Sequence, residues 1–96
     1  MALEAHPHDA TLARRNAELN QVTQLETLHA AIARTSGTVT FGLNAEVDDG
    51  TRRWGDMEVP AWSIDDLAAR YGFPDVVFID VEGYEREALA GAHEAL

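Results

Sequence analysis

The chain has 96 residues, with seven basic side chains against seventeen acidic ones and a formal net charge of −10. That length allows one domain with a small core, and that charge opposes nucleic-acid phosphates and anionic membranes, both of which need basic patches. With no cysteine there is no disulfide or thiolate metal site; no apolar run approaches about 18 residues and no signal peptide is visible, so a cytoplasmic location is expected.

Asp9 is placed to cap a helix over about 10–20, in which Leu12, Leu19 and several alanines form a thin apolar face. His6, His8 and Asp9 invite a metal reading, but no further ligand follows at useful spacing and Pro7 separates the histidines. Loop histidines near a pocket are the better account. Residues 25–33 are ambiguous on their own, because Val22, Leu25, Leu28 and Ile32 fall at helical spacing. Thr38-Val39-Thr40-Phe41-Gly42-Leu43 alternates with period two and reads as a half-exposed strand. Asp48-Asp49-Gly50 is a turn signal, and Met57-Glu58-Val59 is expected to return as a second strand with Pro60 near its edge. Trp54 and Trp62 can line an acceptor pocket, although large aromatics more often fill a core. No internal repeat, linker or low-complexity tract interrupts the chain.

The second half is clearer. Ser63 can cap a helix over 63–72, with Asp66 completing a variant capping box and Ile64, Leu67, Ala68 and Tyr71 forming the apolar stripe. Gly72 closes that helix and Pro74 stops it continuing. Val76-Val77-Phe78-Ile79 then runs into Asp80-Val81-Glu82-Gly83. A continuous apolar run of this kind predicts a strand over 76–81, buried on both faces and central in a parallel sheet. Ligands of open α/β sheets bind beyond the carboxyl ends of the strands, where Asp80 and Glu82 stand. Two apart in an extended chain, these carboxylates share one side, and Gly83 allows a sharp turn. The plainer account is a solvated turn followed by a helix-start acid. From Tyr84 to Leu96 the spacing predicts an amphipathic helix, with Gly91 inside it at a place of close packing.

The ordered set Ser63-Ile64-Asp65-Asp66-Leu67, Pro74-Asp75, Asp80-Val81-Glu82-Gly83, Glu85 and Leu89-Ala90-Gly91-Ala92 resembles the FkbM-type S-adenosylmethionine-dependent methyltransferases. Phe78 stands where many members have lysine. Ala2-Leu3-Glu4-Ala5-His6-Pro7 is similar to the end of that family's second strand, with Ala5 in place of a proline, and Leu12, Asn16, Leu19 and Asn20 match the helix that follows. The resemblance implies a strand at 25–33, which settles that segment for this reading. It implies an α/β fold: a partial class I methyltransferase, Rossmann-like sheet with flanking helices, spanning 1–96 as a single partial domain. The family's first strand with its glycine-rich turn, which normally lies between the strands of Glu4 and Asp80, has no counterpart here, nor do the C-terminal strands.

What the resemblance implies for function is methyl transfer from S-adenosylmethionine to a hydroxyl of a small molecule or sugar. Glu4 would bind the cofactor ribose, since a carboxylate can accept from two vicinal hydroxyls. Asp80, and after it Glu82, would act on the acceptor hydroxyl. Phe78-Ile79-Asp80 also looks like the segment of catechol-type methyltransferases whose aspartate binds a divalent cation, but Val81-Glu82-Gly83 favours the FkbM pattern and no metal is expected. The chain is expected to be a fragment that does not itself methylate and binds cofactor weakly. Its exposed sheet edges invite self-association. The rival expectation is a non-catalytic remnant, or an interaction module that completes a sheet with another polypeptide.

Overall fold

The computed structural model describes residues 1–46 and 52–96, with the backbone alone at 41–46 and 52–56. The turn expected at Asp48-Asp49-Gly50 and the Trp54 side chain therefore lie outside the described residues. The chain begins with a parallel βαβ unit. β1 (Ala2–Glu4) leads into α1 (Pro7–Leu19), and β2 (Thr27–His29) returns alongside β1 with Ala2 opposite Thr27, Leu3 opposite Leu28 and Glu4 opposite His29. Parallel neighbours need a crossover, and α1 supplies it.

α1 starts before the expected 10–20, and Asp9 is not its cap. Pro7 takes the first turn, where its fixed φ suits a helix and its missing N–H has no intrahelical partner to lose; His6 holds the N-cap position without a side-chain cap. Asp9 sits inside that first turn, where a negative charge complements the helix dipole.

The strand expected over 25–33 forms in two pieces, β2 and β3 (Ala31–Ile32), separated at Ala30. Val22 and Leu25 are exposed, so their helical spacing with Leu28 and Ile32 marks no buried face. β3 pairs parallel with β5 (Arg52–Trp62) through Ala31–Ala61 and Ile32–Trp62. β4 (Gly37–Glu46) pairs antiparallel with β5 from Gly37–Ala61 to Glu46–Arg52. The return strand expected at 57–59 is thus 11 residues long and lies in the middle of its sheet. Pro60 stands one residue before the stretch that β3 covers, where β4 is the neighbour of β5.

The N–H of Ala30 donates to the Glu4 carbonyl at 3.1 Å, and that of Ala33 to the Trp62 carbonyl at 2.9 Å. Three residues apart in an extended chain, these groups face opposite edges, so the stretch from β2 to β3 carries β1 on one side and β5 on the other. The result is a two-stranded and a three-stranded ladder meeting at Ala30. It is an α/β arrangement, but not one continuous Rossmann-like sheet among the described residues.

The expected central strand at 76–81 is corrected. These residues belong to no ladder, and Val76 and Phe78 are 84% and 90% exposed. Burial nonetheless alternates along the segment. Val77 and Ile79 pack against the cluster of Ile64, Ala88 and Ala92, while Val76, Phe78 and Asp80 face outward. The segment is covered on one face and has no hydrogen-bonded strand beside it, which an apolar run alone cannot reveal.

α2 (Ile64–Tyr71) forms where expected, but only half of the expected capping box is made, because the Ser63 N–H donates to Ser36 Oγ rather than to the Asp66 carboxylate. The Ser63 hydroxyl accepts from the Asp66 N–H at 3.1 Å, and Gly72 closes the helix with φ of 103°. The helix expected over 84–96 is shorter: α3 (Glu85–Ala90) ends at Ala90, and Gly91 is its C-cap rather than an interior residue. The close packing expected at Gly91 is present. A Cβ there would lie 2.6 Å from the Ala33 carbonyl oxygen, 2.9 Å from that of Arg34 and 3.1 Å from Ser63 Cβ. The core itself is small and alanine-rich, with Val59 its largest fully buried side chain.

Two outcomes follow from this packing. Because two of the three atoms facing Gly91 are backbone, Gly91→Ala should destabilise the fold by about 1–3 kcal/mol in denaturant titrations, as overpacking does. Asp66 is exposed, and its carboxyl is held below the ordinary value of 3.8, first by the Ser36 hydroxyl and second by that of Ser63. A lowered folded pKa contributes stability that is complete above the unfolded value and lost as pH falls through the lower folded value. Asp66→Asn should therefore lower the urea midpoint at neutral pH and flatten its decline below about pH 4.

Candidate functional site

The carboxyl ends of β1 and β2 lie side by side, because parallel strands in register end together. Glu4 closes β1 and His29 closes β2. The Glu4 Oε1 accepts from the His6 N–H at 3.1 Å, which curls the carboxylate over the turn into α1. The His29 Nε2 lies 3.0 Å from the Ala5 carbonyl oxygen. His6 Nδ1 and Asp9 Oδ2 stand 4.0 Å apart at the start of α1. Glu4, His6 and His29 are all half-buried, reachable from solvent yet held by the backbone.

Between β1 and the 76–81 segment runs an open apolar groove of about 660 Å³, lined by Met1, Leu3, Ile32, Leu67, Tyr71 and Asp80 among others. Asp80 is exposed at this groove, on the outward face that it shares with Val76 and Phe78. Glu82 is not part of the lining. It and Gly83 are the central residues of a turn closed by the Tyr84 N–H on the Val81 carbonyl at 3.1 Å, with φ of 20° and 85°. The chain is not extended through Glu82, so the period-two argument that placed Asp80 and Glu82 on one side does not hold. Asp80 thus reaches the groove and Glu82 stands in the turn beyond it, while Glu4 lies at the neighbouring strand end, outside the lining.

Among the described residues no group of three or more histidines, aspartates or glutamates is placed to hold a metal ion. Among them, too, no helix is long and apolar enough to cross a membrane. Trp62 is half-buried on β5 and does not line the groove. The residue that sequence reasoning passed over is His29. The signal was available only through register: once β1 and β2 pair in parallel, the residue opposite Glu4 shares its strand end.

The family model described as Methyltransferase FkbM domain matches residues 1–96. No curated protein and no solved structure matches significantly.

The turn after Asp80 generates a test of its own. Gly83 has a φ that L-residues adopt at a cost of roughly 1–2 kcal/mol. Gly83→Ala should destabilise by about that amount and speed hydrogen exchange at the Tyr84 amide. Glu82→Gly should leave stability unchanged or raise it. Equal responses to the two substitutions would contradict the turn geometry.

Proposed function

The chain belongs to the FkbM methyltransferase family, and on that premise we propose that it is part of an enzyme whose full-length form carries out S-adenosylmethionine-dependent O-methylation of a hydroxyl on a small molecule or sugar. The observation that carries the proposal is the position of Glu4. It is a half-buried carboxylate at the carboxyl end of a parallel strand, beside an open apolar groove with Asp80 at its wall. Strand ends of this kind are where α/β sheets take their ligands.

The residues present suit part of such a cofactor. Glu4 would accept from the two ribose hydroxyls, a task for which two carboxylate oxygens are well matched. The seven glycines stand apart in the chain, so the contact assigned here is to the ribose alone. When bound, the cofactor supplies an electrophilic methyl group already activated by its sulfonium. What remains for the protein is alignment of the acceptor and management of one proton. Asp80, exposed at the groove, would accept a hydrogen bond from the acceptor hydroxyl and take the proton that this hydroxyl gives up. Glu82, in the turn beyond, is the second choice for that role. Apolar Met1, Leu3 and Tyr71 along the groove favour an acceptor with an apolar body that presents its hydroxyl to Asp80.

Calorimetry with S-adenosylmethionine and radiolabelled methyl transfer test this. In the full-length parent, Glu4→Ala should weaken cofactor binding roughly tenfold to a hundredfold, the loss of hydrogen bonds to a charged group, and alter acceptor binding less. Asp80→Asn in the same parent should lower turnover while cofactor affinity is kept. An unchanged cofactor dissociation constant in Glu4→Ala would remove Glu4 from the site.

A further inference from the structure

We propose that His29 is a positioning residue for the Glu4 carboxylate, acting through a single peptide plane. The inference rests on the assignment of Glu4 to the cofactor ribose and adds a residue to that site. The Ala5 carbonyl can only accept a hydrogen bond, so the His29 Nε2 that faces it at 3.0 Å carries a proton and donates. The Ala5 carbonyl and the His6 N–H belong to the same peptide group. That group is planar and trans, so its carbonyl and N–H point in opposite directions. On the other side of the plane, the His6 N–H donates to Glu4 Oε1 at 3.1 Å. The imidazole therefore sets the orientation of the plane, and the plane sets the carboxylate. Each hydrogen bond also polarises the other through the amide.

The parallel register makes this possible. His29 is opposite Glu4, and the adjoining Ala30 N–H donates to the Glu4 carbonyl at 3.1 Å. The backbone of Glu4 is thus fixed by β2 from one side, while its side chain is fixed by the turn that His29 holds. Pro7 follows at once and starts α1, which restricts how that turn can relax. The chemical consequence is a carboxylate with one oxygen oriented before any diol arrives, which reduces the ordering that binding must impose.

Amide exchange followed by NMR on the full chain tests the clamp without cofactor. His29→Ala should speed exchange at the His6 amide roughly tenfold, the effect of losing about one hydrogen bond, and leave the Ala88 amide in α3 unchanged. His29→Gln, whose amide nitrogen can occupy the Nε2 position, should restore slow exchange. In the wild-type chain, His29 nitrogen shifts should show a protonated Nε2, a readout that needs no variant to fold. In the full-length parent with cofactor, His29→Ala should weaken binding in the native background and have no further effect in Glu4→Ala. Unaltered exchange at His6, a bare Nε2, failure of His29→Gln to rescue, or strictly additive effects on binding would each overturn the proposal. If Glu4→Ala leaves cofactor affinity unchanged, the ribose assignment fails, and the exchange data still decide whether His29 holds Glu4.

Discussion

Three stretches far apart in sequence meet at the first turn of α2, and the fold depends on that junction. The Ser63 hydroxyl caps the helix through the Asp66 N–H, while the Ser63 N–H donates to Ser36 Oγ at 3.0 Å. The Ser36 hydroxyl in turn donates to the Asp66 carboxylate. Next to it, the Asp65 N–H donates to the Gly91 carbonyl at 2.8 Å, and Asp65 Oδ1 accepts from Glu94 and Ala95. A helix start leaves four N–H groups without intrahelical partners; here Ser36, Gly91 and Ser63 accept from three of them, those of Ser63, Asp65 and Asp66. Gly91 is the steric condition for this, because any side chain would collide with the backbone of Ala33 and Arg34. The exposed Arg34–Glu87 pair, at 3.1 and 3.2 Å, adds little energy but joins the same two segments.

Much of this junction could be read from residues alone. Ser63, Gly72 and Pro74 mark the ends of α2 by local rules, which are obeyed because the partners are a few residues away, whereas the Asp66 carboxylate takes the hydroxyl of Ser36, 30 residues off. The alternation at 38–43 likewise foretold β4, since a period of two survives whatever lies beyond the sheet. The failures are of another kind. The run at 76–81 has the composition of a central strand, but a strand is a property of two chains, and no neighbour pairs with it. The helix after Gly83 was extended too far because its apolar spacing continues past Gly91, whereas tertiary contact with 33–34 ends it there. Asp9 lost the capping position to His6 because Pro7 accepts the first turn more readily.

The candidate site divides along the same line. Glu4 is where its resemblance to a strand end implied, since β1 and β2 generate their own register and need only α1 between them. Asp80 reaches the groove, but by an extended segment anchored on one face through Val77 and Ile79 rather than by a sheet. Glu82, two residues on, has already left that geometry for a turn. The Glu4 carboxylate is therefore held by a backbone hydrogen bond, while the segment that carries Asp80 is anchored by the packing of Val77 and Ile79.

That difference bears on how each can work. In the proposed role, orientation of a ribose diol would demand a fixed acceptor, and Glu4 is held by the His6 N–H and by β2. The proposed base role of Asp80 would demand a carboxylate that can approach the hydroxyl, and Asp80 sits on the open face with Val76 and Phe78. The apolar residues on that face carry a liability, since exposed apolar surface beside an unpaired backbone attracts other chains. The net charge of −10 opposes contact between copies, and the Debye length of about 10 Å at 0.1 M salt bounds how far that protection extends. The balance between them turns on Val76 and Phe78, the most exposed apolar side chains of that face, because burying them would remove the surface that attracts other chains while the charge still repels.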